Sequence, residues 1–430
     1  MIENNRIIIV DDDEGDLQRL SNVFHTHGIG CKSFHYDGFN FPDSPLKGVR
    51  FAFFDIHLNQ DSDVNAPLKD AISKYISIDN GPFVLIFWSN NIDKITDFIS
   101  FVNRTDDEFK NKLRPISLEW IDKSDFLETA NSLEEKLDSI LSKDIVKCLI
   151  RFDEEVLEAA TQTLDNLIST IPFDCQWGEV TVFNENCKKV FSKIAVNSYG
   201  FEYAKENPDA AIRESIVPVF ESILKQNNKT TWKEYLSNLE NATRFSEIIF
   251  PETYSPATLN SIFHVDKYNI ENRTKNERGA VCLIDPERLR EIFDSIFKTS
   301  LEKWFLQTFN GIPKDDIKSV RFIGVEFSAA CDYSQNKKRT NKYLLGALLP
   351  EGSFNKLKND KVGEYLLRIP FTFEIDGQNL ELGFNLNYSF IEPLGFPFLC
   401  NPMFILKKGI MDMIGNRYAN HVSRIGITSF

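Results

Sequence analysis

Ionisable and polar side chains follow four apolar runs in the first 125 residues of the sequence, at the points where the runs end. They combine several carboxylates with one hydroxyl and one ammonium group. Such a combination suits Mg²⁺-assisted transfer of a phosphoryl group onto a carboxylate, because the hard cation prefers oxygen ligands and a lysine offsets phosphate charge. The set is Asp11, Asp12 and Asp13 after residues 7–10, Asp55 after 51–54, Ser89 after 83–88 and Lys123 after 116–121.

The elements that must position these groups alternate between strands and helices. Apolar runs rich in β-branched and aromatic residues predict buried strands at 7–10, 31–34, 51–54, 83–88 and 116–121. The periodic spacing of Leu17, Leu20 and Phe24 predicts a helix, and further helices are expected at 67–77 and 92–103. This order indicates an α/β, doubly wound, parallel five-stranded sheet, whose ligands bind beyond the carboxyl ends of the strands. The polar groups should therefore converge on one edge.

Four segments together resemble the receiver domain of two-component response regulators. They are Ile-Ile-Ile-Val-Asp-Asp-Asp, Phe-Ala-Phe-Phe-Asp-Ile-His-Leu, Phe-Trp-Ser-Asn and Trp-Ile-Asp-Lys, in that order along the chain. The resemblance implies a flavodoxin-like receiver domain over residues 1–142. One departure is Ser124, which stands where most members of the family have proline after the lysine.

The resemblance also implies roles for individual residues. Asp55 would accept the phosphoryl group, Lys123 would contact it, and Ser89 would be the switch hydroxyl, with Trp120 as the aromatic rotamer switch. Mg²⁺ would be held by Asp11, Asp12, Asp55 and the backbone carbonyl of His57. Other interpretations stay open: Asp11 to Asp13 as a helix cap, Ser89 as another cap, Trp120 as a core residue, and a degenerate receiver that binds partners without being phosphorylated.

The rest of the chain is expected to contain three further regions. No Gly or Pro occurs from 116 to 171, which predicts a helical connector over 143–171 with a kink near 142–144. That helix could pair with its copy in a homodimer or pack on its own domain. Residues 172–261 read as mainly helical, with helices at 209–225 and 231–247.

Residues 262–430 are expected to form an α+β domain with antiparallel strands. The predicted elements are a strand at 280–284, a helix from Asp285 to about 309, strands at 319–328, 343–349, 364–375 and 380–391, and a strand-like end at 424–428, with a hairpin at Asp376-Gly377-Gln378.

A second polar cluster follows the strand at 319–328. Glu326, Asp332 and Lys337 could form a nuclease-like metal cluster, and Cys331 with His264 a thiol site, although neither spacing matches a known signature. The alternative is a strand leading into a solvated turn. Phe396, Phe398 and Phe404 are expected in the core rather than on a base-stacking platform.

Composition narrows the class of protein. The length of 430 residues allows about three domains, and the 42% hydrophobic and 26% charged content excludes a mainly disordered chain. Seven cysteines without a C-x-x-C pair indicate reduced thiols, and no segment suggests a signal peptide or membrane span, so a cytoplasmic protein is expected. The net charge of −14 disfavours nucleic acid, although the C-terminal domain is nearly neutral and leaves that binding open.

These observations predict a bacterial response-regulator-like phosphoprotein that uses Mg²⁺. A histidine kinase or phosphotransfer protein would phosphorylate Asp55 and thereby control a C-terminal output. That output contains no evident helix-turn-helix, so promoter binding is disfavoured. One alternative is a receiver-containing scaffold or phosphoryl sink. Another is a nuclease-like effector enzyme of a phage-defence system, so whether the chain is an enzyme stays open.

Overall fold

The computed structural model describes two compact units. The first contains Met1–Leu167 with Val219–Thr243, and the second Ile168–Pro218 with Arg244–Phe430. Among the described helices, none combines the length and the apolar character that crossing a lipid bilayer requires. The described residues are 6–58, 64–90, 93–105, 108–126, 130–172, 176, 178–227, 232–236, 239, 241–244, 247–248, 251, 254–328, 340–358, 363–391 and 398–423.

Strands and helices follow one another along the first 121 residues of the first unit, although no helix lies between the second and third strands. Two helices then follow one another with a break at 142–143, at the predicted kink. The elements are β1 (Ile7–Asp11), α1 (Glu14–Thr26), β2 (Lys32–His35), β3 (Phe51–Phe54), α2 (Asn65–Tyr75), β4 (Val84–Trp88), α3 (Asp93–Arg104), α4 (Glu108–Lys112), β5 (Ser117–Ile121), α5 (Ala130–Leu141) and α6 (Asp144–Ser169).

The five strands form one parallel sheet in the order β2-β1-β3-β4-β5. Alternate strand residues face opposite sides, so that Ile8 and Val10 pack with α2 and α3, while Ile7 and Ile9 pack with α1. Because helices cover both faces, the inner strands β1, β3 and β4 are buried runs without polar alternation. The predicted five-stranded parallel sheet is confirmed, and its order places β1 next to β3 although β2 lies between them in the sequence.

Helix α6 begins as part of the first unit. Val146 is fully buried in the cluster that contains Ile7 and Leu20. Asp153 accepts hydrogen bonds from Arg6 at 2.8 Å and from Arg50 at 2.6 Å. The N-terminal half of α6 therefore packs on its own domain, which favours that alternative for residues 143–171. The homodimer through this helix stays a prediction.

Further helices follow in the order α7 (Val180–Tyr199), α8 (Phe201–Glu206), α9 (Pro208–Gln226), α10 (Trp232–Tyr235) and α11 (Pro256–His264). The predicted helix at 209–225 matches α9 closely. The helix predicted at 231–247 was too long, since residues 242–244 are not helical.

The second unit contains an antiparallel eight-stranded sheet, as expected for an α+β domain. Its order is β10-β12-β9-β8-β7-β13-β6, with β11 also paired to β12. The remaining elements are β6 (Val265–Asp266), β7 (Ala280–Ile284), α12 (Pro286–Ile292), α13 (Leu301–Thr308), β8 (Arg321–Glu326), β9 (Tyr343–Pro350), β10 (Leu366–Arg368), β11 (Phe373–Ile375), β12 (Gln378–Phe390), β13 (Leu399–Leu406) and α14 (Lys408–Val422).

Two predictions about the second unit were wrong in detail. The helix expected from Asp285 to about 309 is interrupted: a wide π turn at Phe293–Phe297 ends at Lys298, whose φ of 53° is left-handed, and Ser300 caps the next helix. The strand expected at 364–375 is divided into β10 and β11, because Pro370 between them has no N–H for a ladder. The predicted hairpin is present, with positive φ at Asp376 and Gly377 between paired β11 and β12.

Candidate functional site

The carboxyl ends of β1 and β3 bring two predicted carboxylates side by side. Asp11 is the last residue of β1, and Asp55 directly follows β3. The Asp55 backbone N–H donates to the Val10 carbonyl at 3.0 Å, which fixes the two strand ends against each other. Residues far apart in sequence therefore meet because parallel strands end at the same edge.

Three aspartates form an oxygen-rich cluster at this edge. Asp11, Asp12 and Asp55 each offer a carboxylate oxygen, and these atoms lie within 4.8 Å of one another. Asp11 and Asp55 are buried, whereas Asp12 is exposed. The cluster thus has two fixed carboxylates and one that faces solvent. Asp13 does not join it, since it is exposed and caps α1 by accepting from the Asp16 backbone N–H at 2.9 Å.

Lys123 is the cation of the cluster. Its Nζ lies 2.7 Å from Asp11 Oδ2 and 2.8 Å from Asp55 Oδ2, and its side chain is only 7% exposed. A short 3₁₀ turn over Lys123–Phe126 presents it, and Asp122 caps that turn by accepting from the Ser124 backbone N–H and hydroxyl. The Lys123–Ser124 peptide is trans.

Asp16 is a site residue that the sequence interpretation missed. Its Oδ2 lies 2.9 Å from Lys123 Nζ, and it also pairs with Arg19. The available signal was its position in the first turn of α1, which follows directly after the carboxyl end of β1. The ammonium group of Lys123 therefore contacts three carboxylates.

Burial dominates the electrostatics of the cluster. Desolvation raises the pKa of Asp11 to about 6, although the contacts with Lys123 oppose this rise. Desolvation, followed by the nearby charge of Asp55, also raises the pKa of Asp12. Burial alone would lower the pKa of Lys123, but the charge of Asp55 and the contacts with Asp11 outweigh it and raise that pKa. Negative charge in the cluster is thus only partly neutralised.

The residues present fit a hard divalent cation. The available donors are all oxygens, and the carboxylates outnumber the single ammonium, so repulsion among the buried carboxylates carries an electrostatic cost. An added cation would relieve that cost, and the exposed Asp12 leaves the cluster accessible.

His57 lies beside Asp55. Its backbone N–H donates to Asp55 Oδ1 at 3.1 Å, which holds the carboxylate in place. Its imidazole Nε2 is buried and has no hydrogen-bond partner within the described part of the chain. Among the described residues, no hydrogen bond orients this nitrogen as a ligand.

Ser89 and Trp120 occupy the neighbouring strand ends. Ser89 is buried directly after β4, and its backbone N–H donates to the Ile121 carbonyl at 3.1 Å. Trp120 pairs with Phe87 in the sheet register, but its side chain is 46% exposed. The interpretation of Trp120 as a core residue was therefore wrong.

The second predicted cluster is only partly described. Glu326 is the last residue of β8 and fully buried, and its backbone carbonyl accepts from the Gly279 N–H at 2.8 Å. Cys331, Asp332 and Lys337 lie outside the described residues, so the nuclease-like and thiol interpretations rest on sequence alone. The ring of His264 stacks on Phe371 at 4.6 Å.

The phenylalanines at the end of the chain were expected in the core. Phe398 and Phe404 are indeed buried, whereas Phe396 and the predicted strand at 424–428 fall outside the described residues.

Comparison with known proteins does not assign the chain to a family. No protein-family model matches the sequence, and neither a curated protein nor a solved structure was found to match it. The geometry of the acidic site is therefore the main evidence for function.

Proposed function

We propose that the first unit is a receiver-type signalling domain in which Asp55 accepts a phosphoryl group. One observation carries the proposal: Lys123 Nζ bridges Asp11 and Asp55 at 2.7 and 2.8 Å, with Asp12 beside them at the carboxyl edge of a parallel sheet. Sheet order and helices on both faces agree with the flavodoxin-like fold that the resemblance implies.

Asp11, Asp12 and Asp55 would hold a Mg²⁺ ion, with the His57 carbonyl as a further ligand. When bound, this cation would supply positive charge to the phosphoryl oxygens. Lys123 supplies a second positive charge from the opposite flank of the Asp55 carboxylate. Since the ammonium is buried and its pKa is raised, it stays protonated through the neutral range.

The phosphoryl donor that we propose is a phosphohistidine of a kinase or phosphotransfer protein. A carboxylate oxygen of Asp55 forms the new P–O bond while the P–N bond to the donor imidazole breaks, and the released imidazole takes a proton from solvent. Asp55 is suited to this step because the His57 N–H and Lys123 fix its two oxygens.

The switch that we propose runs through Ser89 and Trp120. Ser89 follows β4, next to the strand that ends at Asp55, and would donate to a phosphoryl oxygen. Its backbone bond to Ile121 ties any displacement to β5, where Trp120 is exposed. Phosphorylation would in this way change the surface around Trp120 and bias the output carried by the remaining chain.

The test is phosphorylation of the full chain by phosphoramidate with Mg²⁺. Mass spectrometry should find one added phosphoryl group on Asp55, and none when Mg²⁺ is chelated. Asp55→Asn should abolish the addition. Asp13→Asn is the matched control, since Asn makes the same charge change nearby and still caps a helix.

Two results would contradict the proposal. In the first, wild-type protein takes up no phosphoryl group with Mg²⁺; in the second, the Asp55→Asn variant takes up as much as wild type. The first result, together with full biological activity of Asp55→Asn, would favour the scaffold alternative. No observation in the described residues favours the nuclease alternative.

A further inference from the structure

The second unit contains a cavity of about 430 Å³ that the receiver-type function does not use. It lies between the π turn after α12 and the end of β12. Its volume falls within the range of roughly 300 to 1,000 Å³ that small-molecule sites occupy. The lining is mainly apolar, and five of its residues are aromatic: Phe293, Phe297, Tyr388, Phe390 and Phe398.

The rings of these walls are packed against one another in defined orientations. Phe293 and Tyr388 are nearly parallel, with their centroids 5.9 Å apart, and Phe297 meets Tyr388 edge-on at 5.2 Å. Phe390 and Phe398 lie 5.2 Å apart on the other wall. Ring faces and edges that line the cavity can pack against a further planar ring.

The π turn places large apolar side chains in solvent at the cavity. Ile296 is 67% exposed and Phe297 47% exposed, and both line the cavity. Single π turns are frequent at functional sites, and contiguous exposed apolar side chains often mark a ligand-binding surface. A ligand would cover part of this surface.

Four of the polar side chains around the cavity are already engaged. Asn387 Oδ1 bonds with His421 Nε2 at 2.7 Å, and Ser389 Oγ with the Tyr418 hydroxyl at 3.2 Å. The Ser295 hydroxyl donates to a backbone carbonyl, and Glu291 Oε2 accepts from Arg288 at 3.4 Å. Among the described lining residues there is no Lys, Arg or His. An anionic ligand would therefore lose its hydration without gaining a partner, which is unfavourable.

A buried donor lies directly behind the aromatic wall. Trp304 is 2% exposed, and its indole N–H has no hydrogen-bond partner among the residues that the structure describes. Its ring centroid is 5.2 Å from Phe293 and 5.7 Å from Tyr388. Buried donors without partners are rare and often mark functional positions.

We propose that this cavity binds a small, uncharged, planar aromatic molecule of two or three fused rings. Ring stacking and apolar burial would provide the affinity, and the absence of a cation from the described lining excludes phosphates and carboxylates. All lining residues belong to the second unit, so the proposal does not rest on phosphorylation of Asp55.

The test is a titration of the full chain with 1-aminoanthracene, an uncharged tricyclic amine whose emission rises in apolar surroundings. We expect saturable binding with one site. The uncharged competitor 2-naphthol should displace the probe, whereas 2-naphthoate should be weaker by at least about tenfold because its charge would be buried without a partner. Absence of saturable binding, or equal competition by the two naphthalenes, would overturn the proposal.

Variants at the mouth of the cavity locate the bound probe. Phe297→Ala should weaken binding by about five- to tenfold through the loss of one aromatic wall, and Phe297→Trp should keep it. Phe263→Ala is the matched control, because Phe263 is 66% exposed in the same unit and does not line the cavity. Equal binding by wild type and Phe297→Ala would place the probe elsewhere and refute this site.

Discussion

Replacing Lys123 with methionine tests the electrostatics of the acidic site most directly. Methionine keeps an apolar chain of similar length and removes the charge together with the N–H donors of the ammonium group. The ammonium contacts Asp11, Asp16 and Asp55 at 2.7 to 2.9 Å, and all four side chains are at most 14% exposed. Its loss leaves three poorly hydrated carboxylates without their shared counter-ion.

Lys123→Met should lower the free energy of unfolding of the first unit by about 3–5 kcal/mol near pH 8. This is the usual consequence of removing one partner of a buried ion pair. Added Mg²⁺ should recover part of that free energy, because a divalent cation can replace the missing charge.

The cost should decrease as pH falls. The pKa of Asp11 is already about 6 with Lys123 present, against an ordinary value of 3.8, and losing the ammonium raises it further. A carboxyl group whose pKa is higher in the folded state binds more protons when folded, so stability declines as pH rises between the two pKa values. The slope is about 1.4 kcal/mol per pH unit for each titrating carboxyl group.

Hydrogen exchange of peptides from β1 and β3 measures this loss within the first unit, after correction for the intrinsic pH dependence of exchange. Lys47→Met is the matched control, since Lys47 and Asp79 form an exposed pair worth less than about 1 kcal/mol. Our account of the cluster would be refuted if Lys123→Met lowered the stability of the first unit no more than Lys47→Met does near pH 8. It would also be refuted if the loss of stability became larger as the pH fell.

Three other perturbations have defined outcomes. Mg²⁺ affinity, measured by calorimetry, should weaken below about pH 6 by up to about tenfold per pH unit, because protons then compete for Asp11. Gly346→Ala should destabilise the second unit by about 1–3 kcal/mol and lower its melting temperature, since the new Cβ would lie 2.5 Å from Phe384. Its control, Gly415→Ala, lies inside α14 with open space around it and should stabilise the unit by about 0.5–1 kcal/mol. Asp376→Val should speed exchange in the β11–β12 hairpin, because its φ of 52° costs a β-branched residue about 1–2 kcal/mol.

The parallel sheet was predictable because its strands are short apolar runs that end in polar residues. Strands buried on both faces leave little ambiguity, and the predicted β3 at 51–54 matches the structure at both ends. The convergence of Asp11, Asp55 and Lys123 followed from sheet geometry, since parallel strands deliver their ends to one edge.

Other features depend on tertiary contacts or on backbone irregularities that periodicity does not reveal. Asp16 belongs to the site only because α1 turns it towards Lys123, a residue far along the chain. The π turn after α12 interrupts an apolar pattern that looks continuous. β13 was not predicted, because it contains Pro402, which the sheet accommodates through shifts in register.

The clamp of Arg6 and Arg50 on Asp153 affects how the chain can be divided experimentally. A gene fragment that stops at codon 142 would leave both guanidinium groups without their carboxylate and strip away the buried Val146. A later stop would still omit Trp232, whose ring meets Phe152 at 6.0 Å. Because the first unit consists of two separate stretches of the chain, a C-terminal truncation cannot isolate it intact. Deleting residues 168–218, ending the chain after Thr243 and joining the two stretches with a short linker should preserve it.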